Sequence, residues 1–279
     1  VEYREGGELD KDTEWISILH DVGVVIHLAA RAHILDEKSK NPLDEFRSIN
    51  THGTLHFAKS AADAGVRRFI YVSSIGVNGN FSSVPFSELA APDPNDSYSI
   101  SKLEAEDGLR KLATQSKMEA VIVRPPLIYG PNCPGNFLRL LDLVYKGLPL
   151  PFGSLNNLRS LIGVNNLADF LVRCVEHPEA ANKIFLIADK PDISTPDMMR
   201  ILAQGMGRPS RLMPAPYGLL RGIAGMFGKR ATLEKLCGTL QVDSSFARET
   251  LGWTESTPLR EGLLETGRWY AQMKTKQTS

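Results

Sequence analysis

Four short apolar runs limit what this chain can fold into: "VGVVIHLAA" (residues 22–30), "RRFIYVSS" (67–74), "EAVIVRPPLIYG" (119–130) and "KIFLIAD" (183–189). Each is dominated by continuous apolar residues rather than by strict alternation with polar ones. A strand of that kind must be covered on both faces, which is the condition of a parallel sheet with helices above and below it. Helical patterning fills the first two gaps. "NTHGTLHFAKSAADAG" stops at Gly65, and "SYSISKLEAEDGLRKLATQS" runs out into a polar tail, as helix ends do. The predicted fold class is α/β, a doubly wound parallel sheet of Rossmann-like form.

After Gly130 this regularity fails. "GPNCPGNF" and "KGLPLPFGSLNN" are rich in Gly, Pro and Asn and read as loops. From Pro191 onward the pattern is mostly helical. The sequence therefore predicts a main domain from residues 1–130 plus 160–190, and a smaller, mostly helical lobe from 131–159 plus 191–279.

Charge narrows the function. Lys+Arg and Asp+Glu both number 32 among 279 residues, so the basic excess of a nucleic-acid binder is missing. The apolar runs fall short of the ~20 residues that cross a bilayer. The three cysteines, Cys133, Cys174 and Cys237, are odd in number and far apart, which fits neither a disulfide framework nor a zinc site. "VEYREGGELDKD" at the start is polar and acidic, unlike a signal peptide. A cytoplasmic protein with no nucleic-acid or membrane partner and no metal is expected.

Ligands of open α/β sheets bind at the carboxyl ends of the strands. The informative residues should then follow the apolar runs: His27 to Ala30, Ser73 and Ser74, and Arg124 to Tyr129. Close by in sequence, "NDSYSISKLEAE" sets Tyr98 four residues before Lys102. Four residues are about 6 Å along a helix and share a face. An ammonium beside a phenol stabilises the phenolate and lowers its pKa, the tuning a general base needs near neutral pH. Ser74, at a strand end, can offer a hydroxyl to the same substrate oxygen. A lone YxxxK is common on amphipathic helices; the strand-end serines and the βαβ frame give it meaning.

Taken together, "VVIHLAA", "NTHGT", "FIYVSSIGVNG", "YSISK", "RPPLIYGP", "LRSLIGVNNLADFL" and "VDSSFARETLGW" resemble the extended short-chain dehydrogenase/reductase family over almost the whole chain. The resemblance is to its nucleotide-sugar epimerase and ketoreductase branch, and within it to bacterial UDP-glucose 4-epimerase-like proteins and UDP-N-acetyl-quinovosamine C4 reductases. It implies hydride transfer at sugar C4 with NAD, or NADP, as cofactor, on a UDP-sugar substrate of surface-polysaccharide synthesis. Tyr98 would be the general acid and base, Lys102 would lower its pKa and bond the nicotinamide ribose, and Ser74 would orient the reacting oxygen. Leu28, Ala29 and Ala30 would line the dinucleotide. Asn50 would tie the strand end to the helix that bears it, Ser73 would join the cofactor site, and Pro126 to Ile128 would flank the nicotinamide. Arg159 would meet the substrate phosphates, where a guanidinium fork suits two oxygens, and Asn136 would touch the diphosphate or uracil. The family also pairs its two main helices with their copies, so a homodimer is expected.

The sequence departs from the family at three places. No GxxGxxG follows a first strand. The run at 22–28 resembles the family's fourth strand, so the first βαβ unit is expected to be missing, leaving that run at an unpaired edge and NAD(P) weakly held. "GLLRGIAGMFG" (218–228) is glycine-rich, but no strand precedes it and its spacing suits a helix. Second, Ile75 and Gly76 stand where sugar-nucleotide 4,6-dehydratases carry an acidic pair, which argues against dehydration. Third, the usual VYG reads "VNG", and the sequence assigns Asn78 no role. A non-catalytic remnant that keeps the fold and dimer face but no longer binds dinucleotide is the alternative reading. The remaining candidates are expected to be structural: His52 and His56 as helix-surface or interface residues, His27 as a strand-end residue, Trp253 and the last helix as packing for the lobe, and Arg67 and Arg68 as a solvated strand start.

Overall fold

A computed structural model describes residues 4–10, 12–32, 41–226, 228 and 230–278. The strands are β1 (Val24–His27), β2 (Arg68–Val72), β3 (Glu119–Arg124), β4 (Leu127–Tyr129), β5 (Leu161–Gly163) and β6 (Ile184–Leu186). Four of them form one parallel sheet in the order β1-β2-β3-β6. Among the described residues β1 pairs with β2 alone, His27 lying opposite Tyr71. The expected parallel α/β sheet is thus present.

Alternate residues of the strands serve opposite faces, as the pleat requires. Phe69, Tyr71 and Ala120 turn to one side, where Ala58, Ala61, Ala105 and Leu109 pack on them. Those residues come from α2 (Thr54–Asp63) and α3 (Ser97–Gln115). A five-residue helix, α1 (Pro42–Phe46), and a π-helical segment, Arg47–Gly53, lead into α2. Ile70, Val121, Val123 and Phe185 turn to the other side, against Phe170, Leu171, Leu251 and Trp253. Each large side chain sealed there is worth roughly 1.5–3 kcal/mol of burial.

The run at 119–130 is not one strand. Pro125 and Pro126 have no N–H to continue a ladder, so the chain leaves the main sheet after Arg124. β4 then pairs with β5 in a separate two-stranded sheet. Beyond it lies a second core, built from Phe137, Leu141, Leu202, Leu263 and Tyr270. It joins α4 (Asn136–Tyr145), α6 (Thr195–Gly205) and α10 (Leu259–Thr278). The remaining helices are α5 (Val164–Glu176), α7 (Tyr217–Met226), α8 (Arg230–Cys237) and α9 (Ser245–Leu251). No helix among the described residues is long and apolar enough to cross a membrane.

Two expectations are corrected. Trp253 does not pack the smaller lobe. It meets Phe170 edge-on at 5.3 Å, on the face of the main sheet, because α9 returns from the lobe to cover β6. Arg68 is not solvated either. It is buried, bonds Glu119 at 2.6 Å, and donates to the carbonyls of Cys174, Val175 and His177 at the end of α5. A guanidinium there satisfies orphan helix carbonyls and meets the negative end of the helix dipole.

Candidate active site

Asp96 caps α3, its carboxylate accepting from Ser99 N at 2.9 Å. The cap fixes where the helix begins and so where Tyr98 points, in the first turn. Lys102 and Glu106 follow at four-residue steps, so the three side chains rise along one face. Lys102 is buried and donates to Val72 O at the end of β2, at 2.9 Å. Its Nζ also stands 4.6 Å from the ring centre of Tyr71 and 5.7 Å from that of Tyr98. Glu106 is buried beneath it and holds Arg124, at the end of β3, through both carboxylate oxygens.

Ser74 ends the same strand edge. Its hydroxyl accepts from Gly76 N at 3.1 Å and opens a 3₁₀ turn, Ile75–Val77. Ile75 N donates to Pro125 O at 2.9 Å, tying this turn to the exit of β3 beside Pro126. The turn also presses on α3: a Cβ on Gly76 would come within 2.4 Å of Ser99 Oγ. The role of Asn78, open in the sequence, follows from the same packing. Its side chain is buried, accepts from Arg124 Nη1 at 3.0 Å and donates to Ala90 O at 3.3 Å. It completes the shell of the Arg124–Glu106 pair.

The end of β1 joins through Asn50. Asn50 Oδ1 accepts from Arg31 N at 2.8 Å, while its amide donates to Arg31 O and to Ser101 Oγ. Thr51 Oγ1 bonds Ser101 O, and Arg47 grips Glu104 with two nitrogens. Asn50 and Thr51 lie inside the π-helical segment, a form that often marks functional sites. Leu28 and Ala29 are exposed beyond β1, and Ala30 is half-buried. Leu28, Ala29, Ala30, Asn50, Ser73, Ser74, Pro126, Tyr98 and Lys102 therefore gather where the strands end and α3 begins, with Ile128 close behind in β4.

The electrostatics depart from the expected tuning. Burial first, and the charge of Asp96 second, push Tyr98 up to about 12. Burial pulls Lys102 down to about 8, opposed by Glu106. The loss of solvent around Tyr98 thus opposes its ionisation, while the loss of solvent around Lys102 opposes its charge. Burial, then the Lys102 charge, pull His27 down to about 4. His27 is a buried strand-end residue, bonded to Thr54 Oγ1 at 3.0 Å.

The two substrate candidates lie on other segments of the chain. Asn136 is exposed and starts α4. Arg159 is half-buried; its backbone pairs with Ile193, and Nη1 donates to Gly238 O at 3.0 Å. Bridges between Phe86 and Val242, and between Arg159 and Leu240, link its segment to the loop that follows Ser74. His52 is exposed, and His56 bonds Thr13 O at 2.9 Å. Gly218, Gly222 and Gly225 lie within α7, so that glycine-rich stretch is a helix and not a phosphate-cradling turn. Sequence reasoning placed Arg124 among the strand-end residues without its pairing to Glu106, and it missed Tyr71 and Glu106, although Glu106 continues the four-residue rhythm of Tyr98 and Lys102.

The end of β2 offers polar groups to a ligand. Two buried hydroxyls at the end of β2, Ser73 Oγ and Tyr71 Oη, have no hydrogen-bond partner among the described residues, and Lys102 reaches the strand terminus beside them. The sequence profile of the NAD dependent epimerase/dehydratase family matches residues 3–188. A UDP-glucose 4-epimerase of Vibrio cholerae is 44% identical over 275 residues, covering 98% of this chain and 84% of that protein. The N-acetyl-alpha-D-glucosaminyl-diphospho-ditrans,octacis-undecaprenol 4-epimerase of Escherichia coli O157:H7 is 27% identical over 240 residues, 81% of this chain and 72% of its own. Among solved structures, UDP-glucuronic acid 4-epimerase from Bacillus cereus in complex with NAD superposes with a TM-score of 0.75 at 21% identity. That match covers 94% of this chain and 78% of that one.

Proposed function

Because the chain belongs to the NAD dependent epimerase/dehydratase family, we propose that it is a nucleotide-sugar oxidoreductase acting at sugar C4, with a UDP-sugar as substrate. The observation that carries this reading is the single face of α3 that presents Tyr98 and Lys102 at the strand ends where Ser74 opens its turn. NAD, when bound, supplies the nicotinamide carbon that takes and returns hydride. Tyr98 exchanges a proton with the C4 oxygen. As a phenol held near pKa 12, it is set to donate to a 4-keto oxygen, and in the oxidising direction it must first give up its own proton. Lys102 holds positive charge beneath it, and Ser74 offers a hydroxyl to the same oxygen. Leu28, Ala29, Ala30, Asn50, Ser73, Pro126 and Ile128 would hold the nicotinamide end, and Arg159 with Asn136 the nucleotide-sugar phosphates.

Water elimination is disfavoured by packing as well as by composition. Ile75 is buried, where a carboxylate would lose its solvent, and a Cβ at position 76 would displace the Ser99 hydroxyl. The outcome is then 4-epimerisation or one-way reduction of a 4-keto sugar. The same reading gives a cytoplasmic homodimer built on α2 and α3. Incubating the protein with NAD and UDP-glucose or UDP-N-acetylglucosamine, and following the anomeric proton signals, tests it. A C4 epimer mixture supports the epimerase; consumption of a 4-keto sugar with NADH, without epimerisation, supports the reductase. A folded protein that neither binds NAD nor yields either product would leave the non-catalytic remnant.

A further inference from the structure

Lys102 carries three N–H donors, and among the described residues one hydrogen-bond acceptor meets them, the carbonyl of Val72 at 2.9 Å. Two aromatic rings, those of Tyr71 and Tyr98, also lie against its ammonium. Tyr71 is fully buried, with the ammonium 4.6 Å from its ring centre. The His27 ring stacks on Tyr71 at 5.8 Å and 15°, held there by its bond to Thr54 and by the register that sets His27 opposite Tyr71. The Tyr71 hydroxyl has no partner among the described residues, so it is not a hydrogen bond that secures this ring. A desolvated cation over an aromatic face is strongly attracted to the ring quadrupole.

We propose that Tyr71 is a positioning residue for Lys102: its ring face, backed by His27, holds the ammonium at the end of β2, beneath Tyr98. The reading of Lys102 as a member of the catalytic site supplies the consequence, but the cradle itself is a property of the ligand-free protein. The charged and titratable groups around Lys102 are His27 from β1, Tyr71 from β2, and Tyr98 and Glu106 from α3, with Arg124 paired to Glu106. Neutral His27 adds no positive charge against the ammonium. The cradle therefore favours the protonated amine, against burial, which pulls Lys102 down.

Lysine titration by NMR, on full chains labelled at lysine Cε, tests this without cofactor or substrate. Lys102→Arg assigns the signal. Tyr71→Phe keeps the face and removes the hydroxyl, so Lys102 should titrate as in the parent. Tyr71→Leu removes the face and should lower the midpoint by about one pH unit. A parallel series places mono-, tri- and pentafluorinated phenylalanine at position 71. It keeps the ring's shape while draining its face of electrons, and the midpoint should fall stepwise. A midpoint unchanged along the fluorinated series overturns the proposal. So does a Tyr71→Phe variant that shifts as far as Tyr71→Leu, since the hydroxyl would then do the holding. Because the readout is a proton on Lys102, failure here leaves the sugar chemistry untouched, and inactivity toward sugars leaves the cradle standing.

Discussion

Arg124 and Glu106 form a buried, two-pronged ion pair, with Nε 3.0 and 3.2 Å from the two carboxylate oxygens, and it joins the end of β3 to the helix face that bears Tyr98 and Lys102. Asn78 closes the pair from the side at 3.0 Å. Removing one charge from such a pair strands the other in the interior. Glu106→Gln should therefore cost about 3–5 kcal/mol of stability, measured by denaturant unfolding. A cost under about 1 kcal/mol, the level of a surface pair, would contradict the buried assignment.

Tyr98→Phe should keep the fold, because the ring contact with Phe46 at 6.1 Å survives, and lose roughly 10²–10⁴-fold in turnover, the usual scale for an acid–base group. Steady-state kinetics on the identified sugar check this. Turnover near the parent level would take Tyr98 out of the proton path.

Stability should fall as pH drops through the titration of His27. Burial holds its folded pKa at about 4, below the ordinary histidine value of 6.5. Between those values the unfolded chain binds a proton that the folded one refuses, so stability rises with pH across that window and levels off below it. The full difference amounts to about 3 kcal/mol. Unfolding curves from pH 7.5 to 4.5 should be steeper in pH for the parent than for His27→Gln; identical pH dependences would mean that His27 gains its proton in the folded state.

Gly53 faces the backbone of Leu9, whose carbonyl oxygen would lie 2.6 Å from an added Cβ. Backbone cannot step aside as a flexible side chain can, so Gly53→Ala should destabilise by about 1–3 kcal/mol. Thermal unfolding reads the effect, and a neutral result would show that the 4–10 segment does not rest on the helix in solution.

Sedimentation should find a dimer at micromolar concentration, in keeping with the commonness of isologous pairs. A monomer at every concentration would remove the proposed α2–α3 interface.

Much of this could be read in the sequence because it is local. Apolar runs fixed β1, β2, β3 and β6, and the four-residue step between Tyr98 and Lys102 placed both on one helix face. What could not be read depends on partners far along the chain. Arg68 looks like a solvated strand start until the end of α5 arrives more than a hundred residues later. Asn78 has no local reason to be there; its reason is Arg124. A sequence shows the ammonium near Tyr98 but not the loss of solvent around both groups, which pushes Tyr98 up and pulls Lys102 down. The run at 119–130 reads as one strand; its break at Pro125 and the pairing of β4 with β5 show only in the structure, since nothing local points to a partner strand.

The π-helical segment Arg47–Gly53 accommodates one residue more than a regular α-helix would need to cover the same ground. Asn50, which binds Arg31 and Ser101 together, sits inside it. Deleting a single residue there would let the helix regularise, while turning Asn50 away from both of its partners. Such a shortened chain would look harmless by its fold and be costly in its chemistry, which makes this stretch a place where length itself is a functional trait.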